Sequence, residues 1–207
     1  HLSEEQHQVY NGLADAWQTV LEHIDKALEV NGGGDSPQAK SAAKSQFWGS
    51  QQRFFNQVMT SMQTPAVINA IEEDLKAGRA PVVQLTNTME SSTKRALARR
   101  EDEDDLEDLD VSPRESLMQY LEHSFPVHRY EKFVDDNGNP GARLVLDSNK
   151  EPVVDPAAAA MRDKMLDMVG ALRIPESPLD MIVNHFGHEV VAEATGRTQR
   201  VIYKTQD

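Results

Sequence analysis

The sequence predicts an α/β fold that is predominantly helical, built from long amphipathic helices and carrying a small antiparallel β insertion. Three observations lead there. Apolar side chains recur every three or four residues over long stretches, the spacing of a helix with one buried face. The period then changes at Pro81–Thr86, a short β-branched run suited to a buried strand. Residues 127–154 hold three short strand-like segments separated by clusters of turn residues. The chain has 207 residues, 39% of them hydrophobic. That is enough to build a core, and it fits one domain or one and a half.

The first helix is expected over residues 3–30. Val9, Leu13, Trp17, Val20 or Leu21, Ile24 and Leu28 form its stripe. Ser3 followed by Gln6 has the spacing of a capping box. Asn31 and the glycines 32–34 end it, because glycine accepts the left-handed cap. Ser36 and Pro37 open a second helix reaching about Met62, with Phe47, Trp48, Phe54, Phe55, Val58 and Met62 as its apolar residues. Thr64 and Pro65 start a third, reaching Ala77, with Val67, Ile68, Ile71 and Leu75 on one face and Gly78 closing it. After strand 81–86, Asn87 or Thr88 caps a helix over roughly 89–100. Strand and helices together read as an α/β unit with parallel strands.

Further on, Ser112, Pro113 and Glu115 start a helix that ends near Ser124. His128–Val134, Arg143–Leu146 and Pro152–Val154 make the meander, with turns at 135–141 and 147–150. Asp155 and Pro156 cap a helix to about Leu172, and Ser177 and Pro178 cap another to about Phe186. A short helix near 189–194 and a last strand at Val201–Tyr203 complete the chain. Strands 81–86 and 200–204 are expected to form a parallel pair, with the meander projecting from one edge. An apolar strand so near the last residue suggests a sheet that continues elsewhere, and the chain opens at His1 with no charged-then-apolar leader. It reads as a piece of a longer protein.

The formal net charge of −13 is unevenly spread. Eight acids and no base fall within residues 101–112, from Glu101 through Asp110. Such a run repels itself and stays solvated. It opposes nonspecific DNA binding by this chain alone, since that binding rests on neutralising phosphates. Lys94, Arg95, Arg99 and Arg100 stand just before it. One reading is a solvated helix end followed by a loop. The other is an acidic strand folded back over a basic nucleic-acid face, and the run is also a candidate surface for a protein partner. There is no cysteine, so neither a disulfide scaffold nor a thiolate metal site is available. No apolar run approaches the roughly 18 residues of a membrane span, and a cytoplasmic location is expected.

Few motifs of known chemistry occur. The sequence contains no G-x-x-x-x-G-K-[ST] loop, nucleophile elbow or H-E-x-x-H. His185 and His188 stand three apart beside Glu189, a spacing that could face one metal, but they sit at a glycine turn, where polar surface histidines are common, and that reading is preferred. Arg53 beside Phe54 and Phe55 is either an arginine lying over a helix–helix core or a functional cation. Thr195, Gly196 and Arg197, with Arg200, form a tight turn before a strand. It serves as a helix C-cap or as a backbone-and-guanidinium site for a phosphate. No catalytic residue and no metal site is assigned.

The ordered blocks resemble the Strawberry notch family of superfamily 2 helicase-like ATPases. They run from Tyr10 to Trp17, then Phe47 to Phe55, Pro81 to Ser91, Ser177 to Asp180, and Val191 to Arg197. The Trp48, Gln52, Arg53, Phe54 and Phe55 set is similar to the family's aromatic-rich helix. Thr88 and Glu90 stand at its threonine and glutamate, while Ile174–Pro175, Pro178–Asp180 and Thr195–Arg197 fit later blocks. Two departures are plain: the family's histidine before Q-R-F-F is Gln51 here, and its glycine before the glutamate is Met89. The acidic run and the meander have no counterpart in the resemblance.

The resemblance implies the opening part of a second RecA-like lobe, residues 1–207 being a fragment of it. Within it lie a helical region (1–78), a first strand–helix unit (79–100), an acidic loop (101–112), the meander (127–154), and helices with a last strand (155–207). It further implies an ATP-dependent DNA translocase or helicase of bacterial, phage or mobile-element setting. ATP and magnesium would be held by the intact parent, with no cofactor in this fragment, which would be inactive alone. Thr86, Asn87, Thr88, Thr195, Gly196, Arg197 and Arg200 would contact nucleic acid. The partners would be DNA, through the parent, and the remaining lobes of the same chain. The rival reading is a helical protein-interaction module without motor activity.

Overall fold

A computed structural model describes residues 2–85, 112–134, 138 and 140–192. In chain order the elements are α1 (Glu4–Val30), α2 (Pro37–Lys76), α3 (Pro113–Ser124), β1 (Tyr130–Val134), β2 (Pro140–Leu144), α4 (Pro156–Ala171) and α5 (Pro178–Phe186). The protein is predominantly helical with one two-stranded antiparallel sheet among the described residues. It divides into two compact units. Unit 1 is His1–Phe54 with Ser116–Ile174, and unit 2 is Phe55–Glu115 with Pro175–Asp207.

Unit 1 is organised by aromatic burial. The buried stripe of α1 is Leu13, Ala16, Trp17, Val20, Ile24, Ala27 and Leu28, the helical spacing read from the sequence. Trp17 is fully buried, with its ring 5.3 Å from Phe47, 5.4 Å from Phe54 and 5.5 Å from Tyr120. Tilted and edge-on ring pairs of this kind add about 0.5–1.5 kcal/mol each beyond their area burial. Leu117 and Leu121 of α3 join this core, as do Ala158, Met165 and Val169 of α4, which packs on α1. Both caps expected here form. Ser3 and Gln6 make the reciprocal capping box, and Asp155 accepts from the backbone N–H groups of Ala157 and Ala158.

The end of α1 is bolted to the meander. Asn31 is buried, and its Nδ2 donates to the Pro126 carbonyl at 2.9 Å. Its Oδ1 accepts from the Gly33 N–H at 2.9 Å, and its carbonyl accepts from the Tyr130 N–H at 2.7 Å. Gly32 adopts φ +86°, and a Cβ there would lie 2.5 Å from the Tyr130 carbonyl oxygen, so only glycine fits. Asp35 pairs with Lys132. The meander therefore belongs to unit 1, fastened to a helix end.

β1 and β2 pair from Tyr130↔Leu144 to Val134↔Pro140. The second strand starts three residues earlier than expected. Gly141 permits this, because a Cβ there would meet the Phe133 ring at 2.8 Å. The third segment appears as two isolated bridges, Leu146↔Pro152 and His128↔Val154. Backbone bonds close a ring at this point. Arg129 N–H donates to Val153 (2.8 Å), Val153 to Val145 (2.9 Å) and Val145 to Arg129 (2.9 Å).

Unit 2 departs further from expectation. The second and third helices read from the sequence are one helix, α2, with Pro65 inside it. Proline removes one N–H and crowds the carbonyl four residues back, here that of Ser61. The helix continues because its next turn is held by burial, Ile68 and Ile71 packing with Ile182 in one cluster. Gly78 (φ +77°) ends the helical stretch as expected, and Arg79 folds back so that its Nε donates to Asp74 at 2.8 Å. Ser177 caps α5 by accepting from the Asp180 N–H. Of the expected helix at 189–194, residues 189–192 are described and hold no helix; a turn covers 188–190, where Gly187 (φ +86°) accepts from the Val190 N–H.

Pro81–Leu85 is not a strand among the described residues, and Val82 is 95% exposed. A β-branched run is buried by sheet neighbours, and the described residues supply none. Its expected partner 200–204, the helix at 89–100 and the acidic run lie outside the described residues. No helix among the described residues is long and apolar enough to cross a membrane.

Candidate functional site

Unit 2 holds an apolar groove of about 670 Å³. Ile71 and Leu75 of α2 form one wall, and Leu179, Ile182 and Phe186 of α5 another. The remaining sides are Ala80–Leu85 and Val190–Ala192. The amphipathic patterns dictate the first two walls, because each helix turns its apolar stripe inward. The other two follow from Gly78 and Gly187, which break the helices and swing the chain back along them. Gln84 is the one polar side chain among the described lining residues, which include no cation for a phosphate. What it can do is bury apolar side chains.

Its position relates directly to the sequence-derived residues. Leu85 immediately precedes Thr86, Asn87 and Thr88, and Ala192 stands three residues before Thr195. The two segments that lead into both blocks of candidate nucleic-acid contacts thus line the same groove. Thr86, Asn87, Thr88, Thr195, Gly196, Arg197 and Arg200 themselves lie outside the described residues.

His185 Nε2 approaches Glu72 Oε1 at 2.8 Å, joining α5 to α2, and the ring stacks edge-on against Phe186. Lys76 reaches the other oxygen of Glu72 at 3.8 Å. His185, weighed in the sequence as a metal ligand and not assigned as one, is here the partner of a carboxylate. No group of three or more His, Asp or Glu among the described residues is placed to hold an ion.

The aromatic motif of α2 falls on several faces. Phe54 is buried against Trp17, and Phe55 is half-buried. Gln52 and Arg53 are exposed, and Arg53 Nη2 donates to Ser50 Oγ at 2.9 Å, so its guanidinium lies along the helix surface rather than over the core. Trp48 is 52% exposed, edge-on to Phe47 at 4.9 Å.

Sequence reasoning did not single out Tyr120, Asn31 as a buried hub, or the Glu72–His185 contact. Tyr120 carried a helical signal, standing three residues from Leu117. The other two depend on residues about 95 and 113 positions apart. Burial pushes the Tyr120 hydroxyl well above its ordinary range and raises that of Tyr130. Lys132 lowers the Asp35 carboxyl by hydrogen bonding and charge, and Asp35 raises Lys132 in return.

No protein-family model matches the chain, and no solved structure matches it. Its sequence is similar to that of Strawberry notch proteins. Over 127 residues, 61% of the chain, it is 28% identical to Protein strawberry notch homolog 1 of Gallus gallus and equally to that of Homo sapiens. Over 126 residues it is 26% identical to Protein strawberry notch of Drosophila melanogaster. The chain spans 10%, 9% and 7% of these relatives, respectively.

Proposed function

We propose that this chain is part of a Strawberry notch-like, ATP-dependent DNA translocase or helicase, from the opening portion of its second RecA-like lobe. Its role there is to contact nucleic acid and to pack against the other lobes of the same protein. One observation carries the reading: similarity to Strawberry notch proteins from vertebrates and fly over 61% of the chain. The groove adds support, since the segments leading to both candidate contact blocks line it.

In this reading Thr86, Asn87 and Thr88 present hydroxyl, amide and backbone groups to the nucleic-acid backbone. Thr195, Gly196, Arg197 and Arg200 supply a guanidinium-bearing turn. ATP and magnesium belong to the intact parent. The sequence has no phosphate-cradling loop, and no step of hydrolysis is routed through these residues. The chain alone has no ATPase activity and binds DNA poorly, because its −13 charge opposes a polyanion.

The test uses the parent protein. Arg197→Ala should weaken DNA binding about equally across sequences, since a phosphate contact carries no base information. It should also flatten the log–log salt dependence by about one unit. Unchanged affinity and slope would reduce the turn to a helix cap. DNA-stimulated ATP hydrolysis by the parent supports the motor, and a parent without ATPase activity would leave the rival, a helical protein-interaction module. Trp48 is the observation that favours that rival, because a half-exposed tryptophan is a common anchor at protein interfaces.

A further inference from the structure

Trp48 of unit 1 is backed by the core and half in water. Its neighbour Phe47 is buried against Trp17 and Tyr120, and the exposed indole lies edge-on to Phe47. Gly49 comes next in the helix. A glycine inside a helix destabilises it relative to alanine, and Gly49 has no positive φ that would require one. Its missing side chain makes room for Arg53. A Cβ at Gly49 would lie 3.4 Å from Arg53 Nη1, and Arg53 Nη2 donates to Ser50 Oγ at 2.9 Å. The guanidinium is thereby held along the helix in the turn that carries Trp48, and its partner there is a neutral hydroxyl.

The surroundings are cationic in an acidic chain. Unit 1's share of α2, Pro37–Phe54, carries Lys40, Lys44 and Arg53 and no acid, although the whole chain has a net charge of −13. Three and four residues from Trp48 along the helix stand Lys44, Ser45, Gln51 and Gln52, one cation and three neutral hydrogen-bonding side chains. Lys44 pairs with Asp25 of α1 at 3.2 Å, so Arg53 is the cation left without a carboxylate beside Trp48 among the described residues. A tryptophan of this exposure, taken by itself, fits a protein contact equally well. The charge beside it selects the ligand.

We propose that Trp48 and Arg53 form a site for single-stranded nucleic acid, in which one base stacks on the indole and an adjacent phosphate accepts from the guanidinium. A flat ring beside a fixed cation matches those two parts of a strand. A duplex keeps its bases in the stack and offers no free base face to the ring. The site lies in unit 1 and is apart in sequence from the Thr86–Thr88 and Thr195–Arg200 blocks. It needs no ATP hydrolysis by the parent, and a helical module without motor activity would carry it equally.

The test uses the full chain and a fluorescein-labelled oligothymidylate at low salt. Binding should be weak, with a dissociation constant on the order of 10–100 µM, because the overall charge works against the site. Trp48→Ala should weaken it at least about fivefold, and Trp48→Phe, which keeps a ring, should weaken it less. Arg53→Gln should weaken it and flatten the log–log salt dependence by about 0.7, the single-strand value for one phosphate. Tryptophan emission of the unmodified chain gives a second readout, because Trp17 is fully buried and Trp48 is the other tryptophan. Oligothymidylate should quench that emission, and inorganic polyphosphate, which has no base, should not. That readout keeps the test decisive even where Trp48→Ala folds poorly. Binding undiminished in Trp48→Ala, tighter binding to a duplex, equal quenching by polyphosphate, or no binding at all would each overturn the proposal. Quenching by an acidic, leucine-rich peptide in place of the oligonucleotide would overturn it too and give the surface to a protein. A parent without ATPase activity would sink the motor reading and leave this binding in place.

Discussion

The two units bury their apolar residues in different ways. In unit 1 the rings of Trp17, Phe47, Phe54 and Tyr120 meet at 5.3–6.2 Å, and α1, α2 and α3 all contribute to that cluster. In unit 2 the core cluster is three isoleucines, Ile68, Ile71 and Ile182, edged by Met181, Phe186 and Val191. Two of those isoleucines also line an open groove. Large aromatic side chains close a small core because each covers much area with few rotatable bonds. A short aliphatic cluster between two helices leaves a face uncovered among the described residues. The comparison teaches where each unit keeps its stability and where it keeps surface for something else.

Breaking the centre of unit 1 should have the largest effect. Trp17→Ala removes the ring shared by three aromatic contacts and should cost about 3–5 kcal/mol. Urea unfolding followed by far-ultraviolet dichroism measures it, and a loss under 1 kcal/mol would mean that the cluster is not the keystone. Ile182→Ala in unit 2 should cost less, about 2 kcal/mol, because a site already open on one side collapses or hydrates more easily. Hydrogen exchange in α5 and in the second half of α2 reads that loss. A cost equal to that of Trp17→Ala would show that the groove side is as tightly packed as the aromatic core.

Gly32→Ala tests how far the meander depends on the end of α1. The positive φ and the 2.5 Å approach to the Tyr130 carbonyl together should cost about 2 kcal/mol. Exchange at the Tyr130 N–H should rise with it, and an unchanged amide would separate hairpin from helix. The smallest effect is expected from Tyr120→Phe. The Tyr120 hydroxyl is buried without a hydrogen-bond partner among the described residues, so its removal at neutral pH should be neutral or stabilising by up to about 1 kcal/mol.

The pH sign for Tyr120 follows from burial. The folded hydroxyl ionises later than the unfolded one. The stability this confers is whole below the ordinary tyrosine range near pH 10 and falls as pH rises above it. Tyr120→Phe should therefore shift the alkaline unfolding midpoint upward. A midpoint that stays in place would assign alkaline unfolding to other groups.

Local signals were legible in the sequence wherever neighbouring residues settle the structure. Ser3 with Gln6, Asp155 with Pro156, and Ser177 with Pro178 mark helix starts through side-chain oxygens that reach backbone N–H groups within three residues. Trp17, Phe47 and Phe54 were legible as apolar positions at helical spacing. Pro65 was misread because a proline marks a helix break only when nothing else holds the next turn, and the packing of Ile68 and Ile71 is a tertiary fact. The strand at 81–86 was read from residue type alone. Residue type identifies a segment that wants cover without identifying what covers it. The groove was not legible at all, since it arises from two glycine-terminated helices whose chain ends fold back beside each other. Of the candidate site, the segments leading to it became visible, while Thr86–Thr88 and Thr195–Arg200 lie outside the described residues.

The junction at Asn31 also sets what lengths of chain the molecule can tolerate. Backbone and side chain of this one residue hold Ala27, Gly33, Pro126 and Tyr130, so inserting or deleting a residue between positions 30 and 34 would break several bonds at once. The turn at Asp147–Lys150 is different. It is exposed, and Asp147 Oδ1 holds it locally by accepting from Asn149 and Glu151. Related chains should therefore vary in length at the second turn and keep their spacing at the first. An epitope or a fluorescent label would be grafted into 147–150 and kept away from 31–34.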